Sequence, residues 1–150
     1  MLEITEINPK ENLENLLEIW ESSVKATHDF LNESEILRIK EQVRNMFESL
    51  NSLTCAFLSD EIVAFMVCEN EKIEALFVKP KYFRQGIGKM LVKYAIKELN
   101  SKFVDVNEQN PRAFEFYKKM GFCEFSRSQT DEARNPYPII HLKFNWDFEI

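Results

Sequence analysis

The sequence predicts an α+β fold of seven strands and four helices in the order β-α-α-β-β-β-α-β-α-β-β. Three observations carry that prediction. Two segments before residue 50 repeat apolar residues at helical spacing. Three strand-like runs between Leu53 and Val78 are joined by very short polar turns, as in an antiparallel meander. Glycine and Asn-Pro signals then mark two further helices among the remaining strands. A chain of 150 residues corresponds to one domain, long enough to bury about two-thirds of its unfolded surface.

Leu2 to Ile7 alternates apolar and polar residues and reads as a strand. A helix begins near Pro9, with Leu13, Leu16, Leu17, Trp20 and Val24 on one face, and fades near His28. A second runs from about Ser34, its expected cap, to Leu50, with Ile36, Ile39, Val43, Met46 and Phe47 as its stripe. Strands follow at Leu53–Leu58, Ile62–Cys68 and Lys72–Val78, turning at Ser59–Asp60 and Asn70–Glu71. After Pro80 and a glycine turn, a helix extends to about Asn100, with Met90, Leu91, Tyr94, Ala95 and Ile96 on or near its buried side. Phe103–Val106 is a short strand. Asn110 then caps a helix whose first residue, Pro111, lacks only a donor that would be orphaned anyway. Gly121 ends that helix in a left-handed conformation, with Phe122 packing back on the last turn. Strands at Phe122–Arg127 and Ile139–Phe144 flank a polar loop.

Composition narrows the class. Apolar residues make up 45%, thirteen of them Phe, so a sizeable core is expected. No apolar run approaches the ~20 residues that span a bilayer, and the acidic start is no signal peptide, so no membrane association is expected. Cys55, Cys68 and Cys123 are far apart in apolar surroundings and read as buried, reduced thiols, which implies a cytoplasmic protein. Two His and three scattered Cys lack zinc-ligand spacing, so no metal is expected. A net charge of −6 argues against nucleic acid as a partner. That average hides a segregation. From Ala75 to Lys97 there are six basic residues and no acidic one, leaving −12 for the rest of the chain. This stretch is either a solvated helix face or an electropositive site.

It also contains two of the three glycines, Gly86 and Gly88. A strand, a basic turn, Gly-x-Gly and a helix together suit an anion. The first helical amides have no internal partner, and glycine lets phosphate oxygens approach them. Arg84 and Lys89 add charge at the rim. A P-loop is excluded because Met90, not Ser or Thr, follows Lys89. A Rossmann fingerprint is excluded because Leu91 occupies the third glycine position and the preceding strand reads as antiparallel.

The segments ALFVKPKYFRQGIGKMLVKYAIKEL and VDVNEQNPRAFEFYKKMGF resemble the two central motifs of the GCN5-related N-acetyltransferase (GNAT) family. The resemblance covers at least residues 53–145, and EFSRSQTDEARNPYPIIHLKF and SVKATHDFL are similar to a bacterial branch of the family. It implies a three-layer α/β/α sandwich around a mixed, mostly antiparallel sheet, and acetyl-CoA as co-substrate. It further implies that Arg84, Gln85, Gly86, Ile87, Gly88 and Lys89 hold the coenzyme pyrophosphate. Pantetheine would run along the main chain of Leu76, Phe77 and Val78 as an added strand would, with an amide near Val78 polarising the thioester carbonyl. The family turn reads Arg/Gln-x-x-Gly-x-Gly/Ala. Here its first position is Phe83, with Arg84 one place late, so the backbone amides are the expected contact.

Tyr117 follows Asn110 by seven residues, which puts both on one helix side within about 20°. In the family, residues at these positions face the coenzyme arm (Asn110) and its sulfur (Tyr117). A phenol of pKa ~10 can donate to a thiolate whose conjugate acid titrates near ~8.5. Tyr117 also shares a stripe with Ala113, Phe116 and Met120 and therefore reads equally as core. Asp105, between Val104 and Val106, is either the base that accepts the amine proton or a solvated strand carboxylate. Thr27, His28 and Tyr137 are candidates for the acceptor side, although His28 also suits a helix-dipole contact. The expected activity is acetyl transfer to a primary amine (a lysine, a protein N-terminus, a polyamine or another small amine) by direct attack. The alternative is a weakly active or inactive acyl-CoA-binding sensor or interaction module.

Overall fold

The structure, a computed structural model, describes residues 1–149. It contains β1 (Leu2–Ile7), α1 (Leu13–Thr27), α2 (Glu33–Ser49), β2 (Leu53–Leu58), β3 (Glu61–Glu69), β4 (Lys72–Val78), α3 (Ile87–Glu98), β5 (Phe103–Asn107), α4 (Pro111–Lys119), β6 (Phe122–Ser128) and β7 (Ile139–Phe144). The expected element order is reproduced, with short 3-10 turns added at Pro9–Asn12 and Pro80–Tyr82. The strands form one mixed sheet in the order β1-β2-β3-β4-β5-β7-β6. β4 pairs with β5 in parallel, whereas β1–β2, β2–β3, β5–β7 and β6–β7 are antiparallel. This sheet and its four helices are those of the α+β sandwich that the sequence implies. The chain divides into two compact units: Met1–Val67 with Ala75–Leu91, and Cys68–Glu74 with the residues from Val92 on.

In the first unit, the stripes of α1 and α2 pack on alternate residues of the strands. Leu16, Leu17, Trp20, Val24, Ile36 and Phe47 join Leu53 and Cys55 of β2, Phe65 and Val67 of β3, and the partly buried Ala75 and Phe77 of β4. Phe65 contacts Phe47 at 5.2 Å and Phe77 at 5.6 Å between ring centroids. Because strand side chains alternate, Ala75 and Phe77 belong to this core while Leu76 and Val78 take the other face of β4. The Asn70–Glu71 turn, which belongs to the second unit, has both residues at positive φ (52° and 64°), the conformation of a tight type I′ hairpin. The cap of α2 differs from expectation. Asn32, not Ser34, accepts from Glu35 N at 2.9 Å, while the Glu35 carboxylate accepts from Asn32 N at 3.1 Å. This reciprocal box satisfies two backbone donors, where Ser34 would satisfy one; Ser34 instead donates to Asn32 Oδ1 at 2.8 Å.

In the second unit, Val104 and Val106 of β5, Ile140, Leu142 and Phe144 of β7, and Phe122 of β6 are buried with Tyr117 and Met120. Asp105, His141 and Lys143 alternate with these residues and take the opposite face. Gly121 has φ +100°, and a Cβ there would lie 2.6 Å from the Phe148 ring, so glycine is required twice over. A bulge between Glu124 and Ser126 interrupts β6 against β7.

Two further expectations are corrected. Met90 of α3 is 44% exposed, whereas Leu91, Ala95 and Ile96 are buried as expected and Ile87 and Val92 join them. Of the three cysteines only Cys55 is buried, with Cys68 half-buried and Cys123 exposed on β6. Among the described residues, no helix is long and apolar enough to cross a membrane.

Candidate active site

In the first unit, β4 leads directly into the glycine turn. Lys79 N donates to Val63 O at 2.8 Å, so the chain stays tied to β3 past the end of β4. Glu61 then holds the turn through Lys79 Nζ at 2.8 Å and Tyr82 Oη at 3.0 Å. The Lys79 hydrogen bond, followed by that of Tyr82, lowers the Glu61 carboxyl below its usual range. The backbone enters the left-handed region at Arg84 (φ +63°) and again at Gly86 (φ +82°). For arginine this conformation is uncommon; for glycine it costs nothing. A Cβ at Gly86 would meet nothing within 4 Å, so the space in front of this residue is open.

The first bond of α3 runs from Met90 N to Gly86 O at 3.0 Å. The amides of Ile87, Gly88 and Lys89 therefore precede the helical ladder and have no intrahelical acceptor. Arg84, Gln85 and Lys89 are exposed, and no ion pair engages Arg84 or Lys89 among the described residues. Amides, a helix dipole and two exposed cations thus lie together in one open turn, the combination that suits an anionic ligand.

In the second unit, Asn110 caps α4: its Oδ1 accepts from Ala113 N at 3.2 Å. Tyr117 is 7% exposed and packs edge-on against Phe116 and Phe122 at 5.0 and 5.6 Å. Burial, and secondarily the nearby Cys68, pushes its phenol well above the usual range. The ring is core, and its hydroxyl keeps its proton.

Asp105 is not a solvated carboxylate. Its Oδ1 lies 2.6 Å from His141 Nδ1 and its Oδ2 lies 2.5 Å from Lys72 Nζ. Burial alone would lower the Lys72 pKa, but the hydrogen bond and charge of Asp105 outweigh it, and the ammonium is held above its usual value. Burial raises the Glu74 carboxyl beside it. His141 and Lys72 are the site residues that sequence reasoning missed. The available signal was their alternation with core residues on strands, but the pairing of β5 with β7 is not local in sequence.

Thr27 and His28 close α1. Thr27 Oγ1 donates to Ser23 O at 2.8 Å and lies 2.7 Å from His28 Nδ1. Burial foremost lowers the His28 pKa, only partly countered by Asp29, so the neutral ring is favoured. A dipole contact would favour the charged ring instead. Tyr137, in the second unit, is buried at 9% exposure.

The model of the family described as Acetyltransferase (GNAT) domain matches residues 21–134. The chain belongs to the GNAT acetyltransferase family. This GNAT enzyme is 41% identical over 129 residues to peptidyl-lysine N-acetyltransferase YjaB of Salmonella typhimurium, covering 86% of this chain and 89% of that protein. The solution structure of apo-form YjaB from Escherichia coli matches with a TM-score of 0.87 at 34% identity, over 96% of this chain and 97% of that one. The PaiA N-acetyltransferase of Thermoplasma acidophilum, crystallised in complex with coenzyme A, matches with a TM-score of 0.70 at 26% identity, over 96% and 99% of the two chains. The GNAT enzyme thus carries an open glycine turn preceded by Phe83 and an ion-paired carboxylate on β5.

Proposed function

We propose that this GNAT enzyme transfers the acetyl group of acetyl-CoA to a primary amine, with protein lysine side chains as the favoured acceptor class. The glycine turn carries the reading: orphaned amides at 87–89, open space at Gly86 and the exposed cations Arg84 and Lys89 suit a pyrophosphate. A GNAT relative crystallised with coenzyme A supports that ligand. The name of the YjaB relative, together with the −12 balance outside the basic stretch, supports a cationic lysine acceptor.

Acetyl-CoA supplies an activated acyl group and a thiol leaving group. The residues Arg84 to Lys89 are assigned to the pyrophosphate, the main chain of Leu76, Phe77 and Val78 to the pantetheine, and the Asn110 amide to the coenzyme arm. Asn110 Oδ1 is committed to its cap, so its NH2 group is the part assigned to the ligand. The acceptor ammonium first gives one proton to Asp105, and the free amine attacks directly: the N–C bond forms, the C–S bond breaks, and the departing sulfur, held by a hydrogen bond from Tyr117, takes the second nitrogen proton to leave as the thiol. A phenol of raised pKa releases its proton to a thiolate late, so Tyr117 acts first as a hydrogen-bond donor. Thr27, His28 and Tyr137 are assigned to the acceptor.

The test is thiol release from acetyl-CoA in the presence of lysine-containing peptides, with mass spectrometry of the peptide. Acceptor-dependent thiol release with an acetyl adduct on the lysine ε-nitrogen is expected. A thermal shift with acetyl-CoA but no turnover on any amine would indicate a sensor instead, and no shift would remove the coenzyme assignment.

A further inference from the structure

β5, β7 and β6 are neighbouring strands at one edge of the sheet, and their register decides which side chains meet. Asp105 is directly opposite His141; Ser128 is opposite Ile139 and therefore diagonal to His141. Diagonal neighbours are within reach of a long side chain. His141 consequently bridges the two: Nδ1 lies 2.6 Å from Asp105 Oδ1, and Nε2 lies 2.7 Å from Ser128 Oγ. A carboxylate can only accept, which fixes the imidazole proton on Nδ1. In the neutral ring Nε2 then presents its lone pair, to which the Ser128 hydroxyl donates. Hydroxyl, base and orienting carboxylate in this sequence are what make a serine oxygen a nucleophile.

We propose that Ser128, His141 and Asp105 form a second reactive centre, in which Ser128 Oγ attacks the carbonyl carbon of small aryl esters. The surroundings fit this chemistry in three respects. Lys72 binds Asp105 Oδ2, and Glu132 and Glu74 lie 3.7 and 4.0 Å from the same ammonium. Three carboxylates against one ammonium leave negative charge to stabilise the imidazolium that forms when His141 takes the serine proton. Phe125, 57% exposed at the bulge, lies 6.3 Å from the His141 ring and 5.9 Å from Phe103, giving an aromatic platform for the aryl group. β6 is also an edge strand, with no strand paired to its outer side among the described residues, and an unpaired edge offers backbone donors to a carbonyl oxyanion.

The step balances without a co-reactant. The Oγ–C bond forms as the hydroxyl proton passes to His141 Nε2, and the aryloxide departs with that proton. Water then attacks the acyl-serine, giving its proton to the same imidazole, and a carboxylic acid is released as Ser128 Oγ is reprotonated. The sum is ester plus water to acid plus phenol. None of it uses the glycine turn or Tyr117, and Asp105 is the one residue shared with the proposed acetyl transfer.

The experiment treats the full chain with a fluorophosphonate probe and maps the adduct by mass spectrometry, while 4-nitrophenyl acetate hydrolysis is followed in parallel. We expect the adduct on Ser128. In Ser128→Ala, both the adduct and the hydrolysis above buffer background should disappear, with the melting temperature and acetyl transfer to a lysine peptide unchanged. His141→Gln should lower the rate about 10²-fold or more, the usual contribution of a positioned base. Ser128→Ala removes one oxygen from a half-buried edge position and carries the test if the histidine variant fails to fold. An adduct on another residue, no adduct beside a labelled serine hydrolase control, or undiminished hydrolysis in Ser128→Ala overturns the proposal.

Discussion

Asp105 stands directly across the β5–β7 ladder from His141, and its two oxygens are divided between that imidazole and the Lys72 ammonium. The carboxylate joins a strand that precedes it, Lys72 on β4, to a strand near the end of the chain. Asp105→Asn keeps the shape but turns an acceptor of two cationic or polar donors into a group with one donor of its own. We expect a loss of about 1.5–3 kcal/mol in stability, the scale of a hydrogen bond to a charged group. If Asp105 is the base, turnover also falls most at neutral pH and recovers as rising pH supplies free amine. Paired denaturation curves and pH–rate profiles check both effects; a stability loss with wild-type rates at every pH would make the carboxylate purely structural.

Gly86 offers a separation of strain from ligand contact. Gly86→Ala meets no atom within 4 Å, so its cost in the free protein is the left-handed backbone alone, about 1–2 kcal/mol. Gly86→Asp adds a carboxylate where phosphate is expected. Thermal melts with and without acetyl-CoA should show both variants modestly destabilised, with the ligand-induced shift abolished in Gly86→Asp. A wild-type shift in Gly86→Asp would move the pyrophosphate elsewhere.

Tyr117→Phe keeps the ring contacts with Phe116 and Phe122 and removes only the hydroxyl. Turnover should fall roughly 10²-fold with acetyl-CoA affinity little changed. Isothermal titration and steady-state kinetics separate the two. Unaltered turnover would leave Tyr117 as a packing residue.

Alkaline stability should report the buried thiol. Burial pushes Cys55 from 9.0 up to about 12, so the unfolded chain loses this proton first as pH rises. The stabilising contribution is complete below pH 9.0 and is lost toward about 12, at ~1.4 kcal/mol per pH unit. Cys55→Ala should be less stable at neutral pH, through its cavity, yet show a shallower decline above pH 9.0 in urea titrations. An identical slope in both proteins would refute the assignment.

Features set by neighbours in sequence were legible. The hairpin turn at Asn70–Glu71, the Asn110 cap and the left-handed Gly121 each depend on a few adjacent residues. The glycine turn was legible for the same reason, since amides at a helix start need no distant partner to be exposed. Errors arose where local signals competed or tertiary contacts decided. Asn32 outcompeted Ser34 because Glu35 completes a box. Met90 shares a hydrophobic run with Leu91, yet the helix turns it outward. The Lys72–Asp105–His141 cluster was illegible because it depends on two strand pairings that skip over intervening elements, and neither register is written in any one segment.

The bulge between Glu124 and Ser126 has a bearing on how the protein behaves in a crowd. β6 forms a margin of the sheet, and a second chain seeking to extend it needs evenly repeating donors and acceptors. The extra residue breaks that repeat midway, and exposed Glu124 and Arg127 place charge on either side of it. Phe125 can therefore remain open to solvent without the strand beneath it becoming a template for stacking one copy on another.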